Sequence, residues 1–104
     1  RVLSTVKITT KQIRNLYKKH NLKVGHTWYL DCKKICPLGL LHKELNNSGP
    51  SFYWAYKKYG KRWCQGFTCG FDGVPKEEIA ELYYKSSNFM DGYRNGKIIK
   101  RYLL

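Results

Sequence analysis

Four cysteines and three histidines are the side chains here with the most chemistry in them, so their spacing comes first. Cys32 and Cys36 form C-x3-C within "LDCKKICPLGLL", and Cys64 and Cys69 form C-x4-C within "KRWCQGFTCGF". Zinc needs soft ligands converging on a tetrahedron, and if a metal were held its ligands would be Cys32, Cys36, Cys64 and Cys69. The short zinc knuckle is C-x2-C, however, so these spacings permit a site without asking for one. A disulfide framework is a second reading, because four cysteines in a short chain suit a secreted scaffold. The third reading treats the thiols as small apolar packing residues, with Cys36 ahead of Pro37 simply leading into a helix. We adopt the third: no metal ligand and no cofactor is expected. C-x3-C also departs from the C-x-x-C pattern that lowers a thiol pKa at a helix start.

His20, His26 and His42, with a nearby lysine, could in principle cleave RNA, which needs a base and an acid in one pocket. They fall in three separate stretches with no motif around them, so no catalytic residue is assigned and no enzyme is expected. The glycines build no phosphate loop, since neither "CGFDGV" nor "DGYRNGK" matches G-x-x-x-x-G-K-[ST] or G-x-G-x-x-G. Gly92 and Gly96, four apart, would instead make a smooth helical patch that lets another helix approach. Asp72 is expected to cap a turn or a helix, and Asp91 to pair with Arg94 or Lys85.

Charge is the strongest global property. Of 104 residues, 20 are Lys or Arg and 7 are Asp or Glu, a net charge of +13. Residues 1–71 hold 14 basic and 2 acidic side chains, residues 72–91 hold 2 basic and 5 acidic, and the last thirteen hold 4 basic and none acidic. Such a field draws polyanions and acts on association rather than on fold. "SFYWAYKKYGKRWCQGF" interleaves aromatic with basic residues, the composition that holds single-stranded nucleic acid by phosphate neutralisation and base stacking. The candidate nucleic-acid-binding set is therefore Lys57, Lys58, Lys61 and Arg62, with Tyr53 or Trp54 stacking. Phe52, Tyr56, Tyr59 and Trp63 fall at i, i+4, i+7 and i+11 and read as a buried helical face.

The elements that must position these residues are mostly helical. Thr9 and Gln12 have the spacing of a capping box, and Ile13, Leu16, Tyr17 and His20 then recur on one helical face. "HTWYL" (26–30) reads as a short strand or extended segment. Pro37 suits the first turn of a second helix, carrying Leu38, Leu41 and Leu45, and "NNSGP" (46–50) breaks it. A third helix is expected through residues 51–63, weakened at Gly60, followed by a turn at "CGFDGVP". A fourth opens at Pro75 with Glu77 and Glu78 in its first turn and Ile79, Leu82 and Tyr83 inward. "SSN" (86–88) interrupts it before a closing helix. The expected fold class is mainly α: one domain over residues 1–104, a compact bundle of four to five short helices with a short strand or extended segment near 26–30. No stretch approaches the roughly 20 apolar residues that cross a bilayer. No basic segment followed by an apolar run opens the sequence, so no signal peptide is visible; the localisation expected is cytoplasmic.

Three short motifs, "CPLGLL" (36–41), "GFDGV" (70–74) and "DGYRNGK" (91–97), carry a resemblance to a group of small uncharacterised bacterial proteins. That group has a C-P-L-[GT] helix start, a G-F-D-G turn and a closing Y-x-x-G helix. The resemblance spans about the last two thirds of the chain. It implies a compact, mainly helical fold and an intracellular setting, and it brings no catalytic residue or cofactor. The function expected is a non-enzymatic binding module for an anionic partner, nucleic acid first. The alternatives are a protein–protein interaction module with incidental charge, and a secreted, disulfide-bridged, nuclease-like protein.

Overall fold

Thr9 is extended (φ −88°, ψ 152°), and its hydroxyl oxygen accepts the Gln12 N–H at 3.2 Å, so α1 (Thr10–His20) begins with a capped first turn. In this computed structural model, described for residues 7–45 and 49–103, the other elements follow the same local logic with a few departures. α1 buries Ile13 and Tyr17 and stops at Asn21, which takes the left-handed conformation (φ 53°) that asparagine tolerates. The Tyr17 hydroxyl donates to the Ile35 carbonyl and so ties α1 to the segment that follows.

The extended segment lies elsewhere than residues 26–30. Two short strands, β1 (Lys23–Val24) and β2 (Lys34–Ile35), pair in parallel with Lys23 opposite Lys34 and Val24 opposite Ile35. "HTWYL" is the bent connection between them. Its aromatic and β-branched composition serves packing: Trp28 lies against the core and crosses the Tyr56 ring edge-on. β2 is entered through a two-residue turn in which Asp31 and Lys34 exchange backbone hydrogen bonds at 2.9 Å. Cys32 (φ 52°) and Lys33 (φ 64°) occupy its centre, where both residues must be left-handed.

Pro37 opens α2 (Pro37–Leu45) as its chemistry predicts, and Pro37 to Leu41 are all buried. Leu45, at helical spacing from Leu38 and Leu41, is half-exposed. Of "NNSGP", Asn46, Asn47 and Ser48 lie outside the described residues. The expected third helix is two helices, because Gly60 adopts φ 101°, a conformation closed to a helix. α3 (Ser51–Tyr59) ends there and α4 (Lys61–Asp72) begins. The split turns Phe52 out of the core, so the four-residue stripe is corrected: Trp63 is buried, Tyr56 and Tyr59 are partly buried, and Phe52 is exposed. The column that forms instead runs along α4 from the end of α3, with Tyr59, Trp63, Phe67 and Phe71 stacked at centroid separations of 5.1, 5.3 and 6.2 Å.

"CGFD" is the last turn of α4 rather than a loop, and Gly73 (φ 79°) is its C-cap. Beyond it the expected fourth helix shrinks to a 3₁₀ turn (Lys76–Glu78) and a single α-turn, α5 (Glu81–Tyr84). Ile79 is extended and buried, whereas Leu82 is exposed, against expectation. Ser86 Oγ accepts the Phe89 N–H at 3.2 Å where the closing helix, α6 (Ser87–Leu103), starts.

α4 and α6 form the backbone of the fold. A Cβ on Gly66 would stand 1.9 Å from the Phe89 carbonyl oxygen, and one on Gly92 would stand 2.0 Å from that of Trp63. Gly70 against Tyr93 and Gly96 against Phe67 repeat the pattern one turn on, at 2.1 and 2.2 Å. The match climbs both helices together, so they run parallel with main chains in contact, a geometry that favours Cα–H···O bonding. Asn95, buried on α6, accepts the Lys7 and Ile8 N–H groups on Oδ1 (2.9 and 3.1 Å) and donates to the Ile8 carbonyl (2.9 Å). It thereby satisfies main-chain groups of Lys7 and Ile8 and lets Ile8 be fully buried. The result is a compact, mainly α fold with a radius of gyration of 13.0 Å.

Candidate functional site

The cysteines do not converge. Cys32 is exposed at the turn between Asp31 and Lys34, while Cys36 is buried at the start of α2. The Cys36 sulfur accepts the Gly39 N–H at 3.4 Å, and burial pushes its pKa up to about 11. Cys64 is buried on α4, its thiol donating to the Ala55 carbonyl at 3.3 Å, and burial pushes it up to about 12. Cys69, half-exposed further along α4, is also raised by burial. All four are free thiols, and among the described residues no three His, Cys, Asp or Glu side chains gather to hold a metal ion.

The histidines are likewise dispersed. His20, at the end of α1, meets Glu44 of α2 at 2.8 Å. Glu44 also takes the Lys19 ammonium at 2.9 Å, and hydrogen bonds from Lys19 and then His20 hold its carboxyl below the usual range. His26 meets Asp72 at 2.7 Å beside the Phe71 ring. Asp72 therefore fixes the β1–β2 connection to the end of α4 instead of capping a helix. His42 packs edge-on against Trp54. Asp91 pairs with Arg94 at 3.2 Å, and Lys85 pairs with Glu81.

The α3–α4 residues singled out for nucleic acid divide. Lys57, Lys58 and Lys61 are exposed, and Tyr53 is 60 % exposed with the Lys57 ammonium over its ring. Trp54 is partly buried, packed against the core with edge contacts to His42 and Tyr59. Arg62 lies 4.6 Å over the Tyr83 ring and donates to Gln65 at 3.0 Å, so its guanidinium is already engaged.

A different set of cations surrounds a groove. Arg14 and Lys18, one turn apart on α1, face Lys23 of β1, Lys34 of β2 and Tyr102 of α6 across a cleft of about 720 Å³. Among the described residues no carboxylate lines it. The parallel register is what places Lys23 beside Lys34. Arg14 donates to the Tyr102 hydroxyl at 3.1 Å and lies over that ring, which stays 46 % exposed. On another side of α6, Lys97, Lys100 and Arg101 line a second cleft of about 460 Å³ with Gly70 and Gly73. There the Lys100 ammonium sits over the C-cap of α4, where the helix dipole favours a cation. Nothing in the linear order marks this first groove: Arg14 and Tyr102 are 88 residues apart, and none of its cations belongs to the dense basic run at 57–62.

No helix among the described residues is long and apolar enough to cross a membrane. Comparison with protein-family models, with curated proteins and with solved structures finds no match.

Proposed function

We propose that the protein is a non-enzymatic binding module for a polyanion, nucleic acid first, and that the phosphate backbone lies in the groove between α1, the β1–β2 pair and the end of α6. The observation that carries this reading is the groove itself: four cations from three elements around one concave surface, with no carboxylate among the described residues that line it. The exposed face of Tyr102 adds a ring on which a base could stack. Two left-handed non-glycine residues hold the turn that presents Lys34, and strain of this kind concentrates at binding sites.

Affinity for a labelled single-stranded oligonucleotide, followed by anisotropy between 50 and 200 mM salt, tests the reading. Four phosphate contacts give a slope of log K on log salt of about −2.8, or about a 50-fold loss across that range. Lys23→Glu together with Lys34→Glu should at least halve the slope. Affinity that ignores salt, or survives that double change untouched, refutes the groove. No affinity at physiological salt makes the charge incidental and favours a protein–protein interaction module.

A further inference from the structure

The fold leaves a further cleft, chemically unlike the two basic ones. It measures about 730 Å³ and lies between α3, α4 and the 3₁₀–α5 segment, walled by Trp28, Phe52, Tyr56, Ile79, Tyr83 and Phe89. That volume is within the range that encloses small organic ligands. Among the described residues its lining is overwhelmingly apolar, with five aromatic rings and no lysine or arginine. The one carboxylate in the lining is Glu78, which forms no ion pair among the described residues although the chain carries +13. Arg62 stands just outside, over the Tyr83 ring at 4.6 Å, and shows that this aromatic wall already accepts a cation on its face.

From this pairing we infer that the cleft binds a small organic cation with an apolar body, its charge against Glu78 and the aromatic faces and its hydrocarbon in the cleft. Aromatic faces attract ammonium groups through their quadrupole, most strongly when water is excluded. The global field of the protein argues the other way, because +13 draws anions. A preference for a cation would therefore have to be local. Arg62 is a like charge at the rim that shares Tyr83 with the ligand, so it opposes binding while Glu78 supports it. The inference is independent of the basic groove, with which the cleft shares no lining residue.

The test is calorimetric titration with three probes of one chain length: octyltrimethylammonium, octyl sulfate and octanol, each below its micelle concentration. The expected result is at least about ten-fold tighter binding of the ammonium than of the sulfate. Glu78→Gln should cut the ammonium affinity by about two- to five-fold through the lost ion pair and leave octanol unchanged, whereas Arg62→Gln should raise it. Cys69 lines the same cleft, so saturating ammonium should slow its alkylation, read by peptide mass, and leave Cys32 unaffected. Sulfate binding as tightly as ammonium, indifference to Glu78→Gln, no shielding of Cys69, or no binding of any probe would each overturn the inference.

Discussion

The α4–α6 contact sets the sharpest test of the fold. Gly92→Ala introduces a methyl group 2.0 Å from the Trp63 carbonyl oxygen and 2.9 Å from the Phe67 nitrogen. Both obstacles are main-chain atoms of another helix, so no rotamer change can make room. Restoring a 3.0 Å approach means parting the helices by about 1.0 Å, and a gap of that size forfeits about half of each dispersion contact it opens. Overpacking of this kind costs about 1–3 kcal/mol, and rigid backbone neighbours place Gly92 at the upper end. Alanine returns about 1 kcal/mol of helix propensity. The expected net loss is about 2 kcal/mol, which in a chain of this size lowers Tm by about 8–16 °C. Gly66→Ala should behave alike, and Asn88→Ala, exposed on the same helix, should stay within about 0.5 kcal/mol. Urea titrations followed by far-UV circular dichroism give the comparison. If Gly92→Ala proves as stable as the parent, or more so, the close parallel packing is wrong.

Other expectations concern the thiols and the turn. Under native conditions an alkylating reagent should modify Cys32 first and Cys69 slowly, with Cys36 and Cys64 reacting only on unfolding; peptide mass mapping over time reads the order. The buried thiols also set an alkaline limit. Their folded pKa values, about 11 and about 12, exceed the ordinary 9.0, so their contribution to stability is full below pH 9 and is lost as pH rises toward the folded values. Between pH 9 and 11 the two together steepen the fall in unfolding free energy by up to about 2.7 kcal/mol per pH unit, and Cys64→Ala should halve that part. Lys33→Gly relieves a left-handed residue at φ 64° and should stabilise the fold by about 1 kcal/mol, seen as a higher urea midpoint.

The parts of the fold that could be read from the sequence are those governed by local chemistry. Thr9 caps α1 and Pro37 opens α2 because a hydroxyl acceptor and a missing N–H act within one turn. Gly92 and Gly96 were legible as a smooth patch, but their partners Gly66 and Gly70 were hidden among aromatics, and only the assembled interface shows four glycines in mesh. Gly60 was expected to weaken a helix; its positive φ ends one and starts another, which redirected Phe52 to the surface. "HTWYL" has strand composition, yet the pairing uses Lys23–Val24 and Lys34–Ile35, because hydrogen-bond partners are a tertiary choice. Asn95 looks like an ordinary polar helix residue until its role in holding Lys7 and Ile8 is seen. The candidate site was the least legible part. Charge density along the chain pointed to residues 57–62, whereas a concave basic surface requires convergence of distant elements, and Arg14, Lys18, Lys23 and Lys34 achieve it.

The location of the polyanion surface is the central functional claim, and lysine protection tests it directly. The protein would be acetylated briefly with and without a saturating single-stranded oligonucleotide, and each lysine scored by peptide mass. Protection of Lys18, Lys23 and Lys34, with Lys57, Lys58 and Lys61 modified equally in both samples, is the result expected from the groove. Protection confined to Lys57, Lys58 and Lys61 would contradict it and move the interface to the α3–α4 junction.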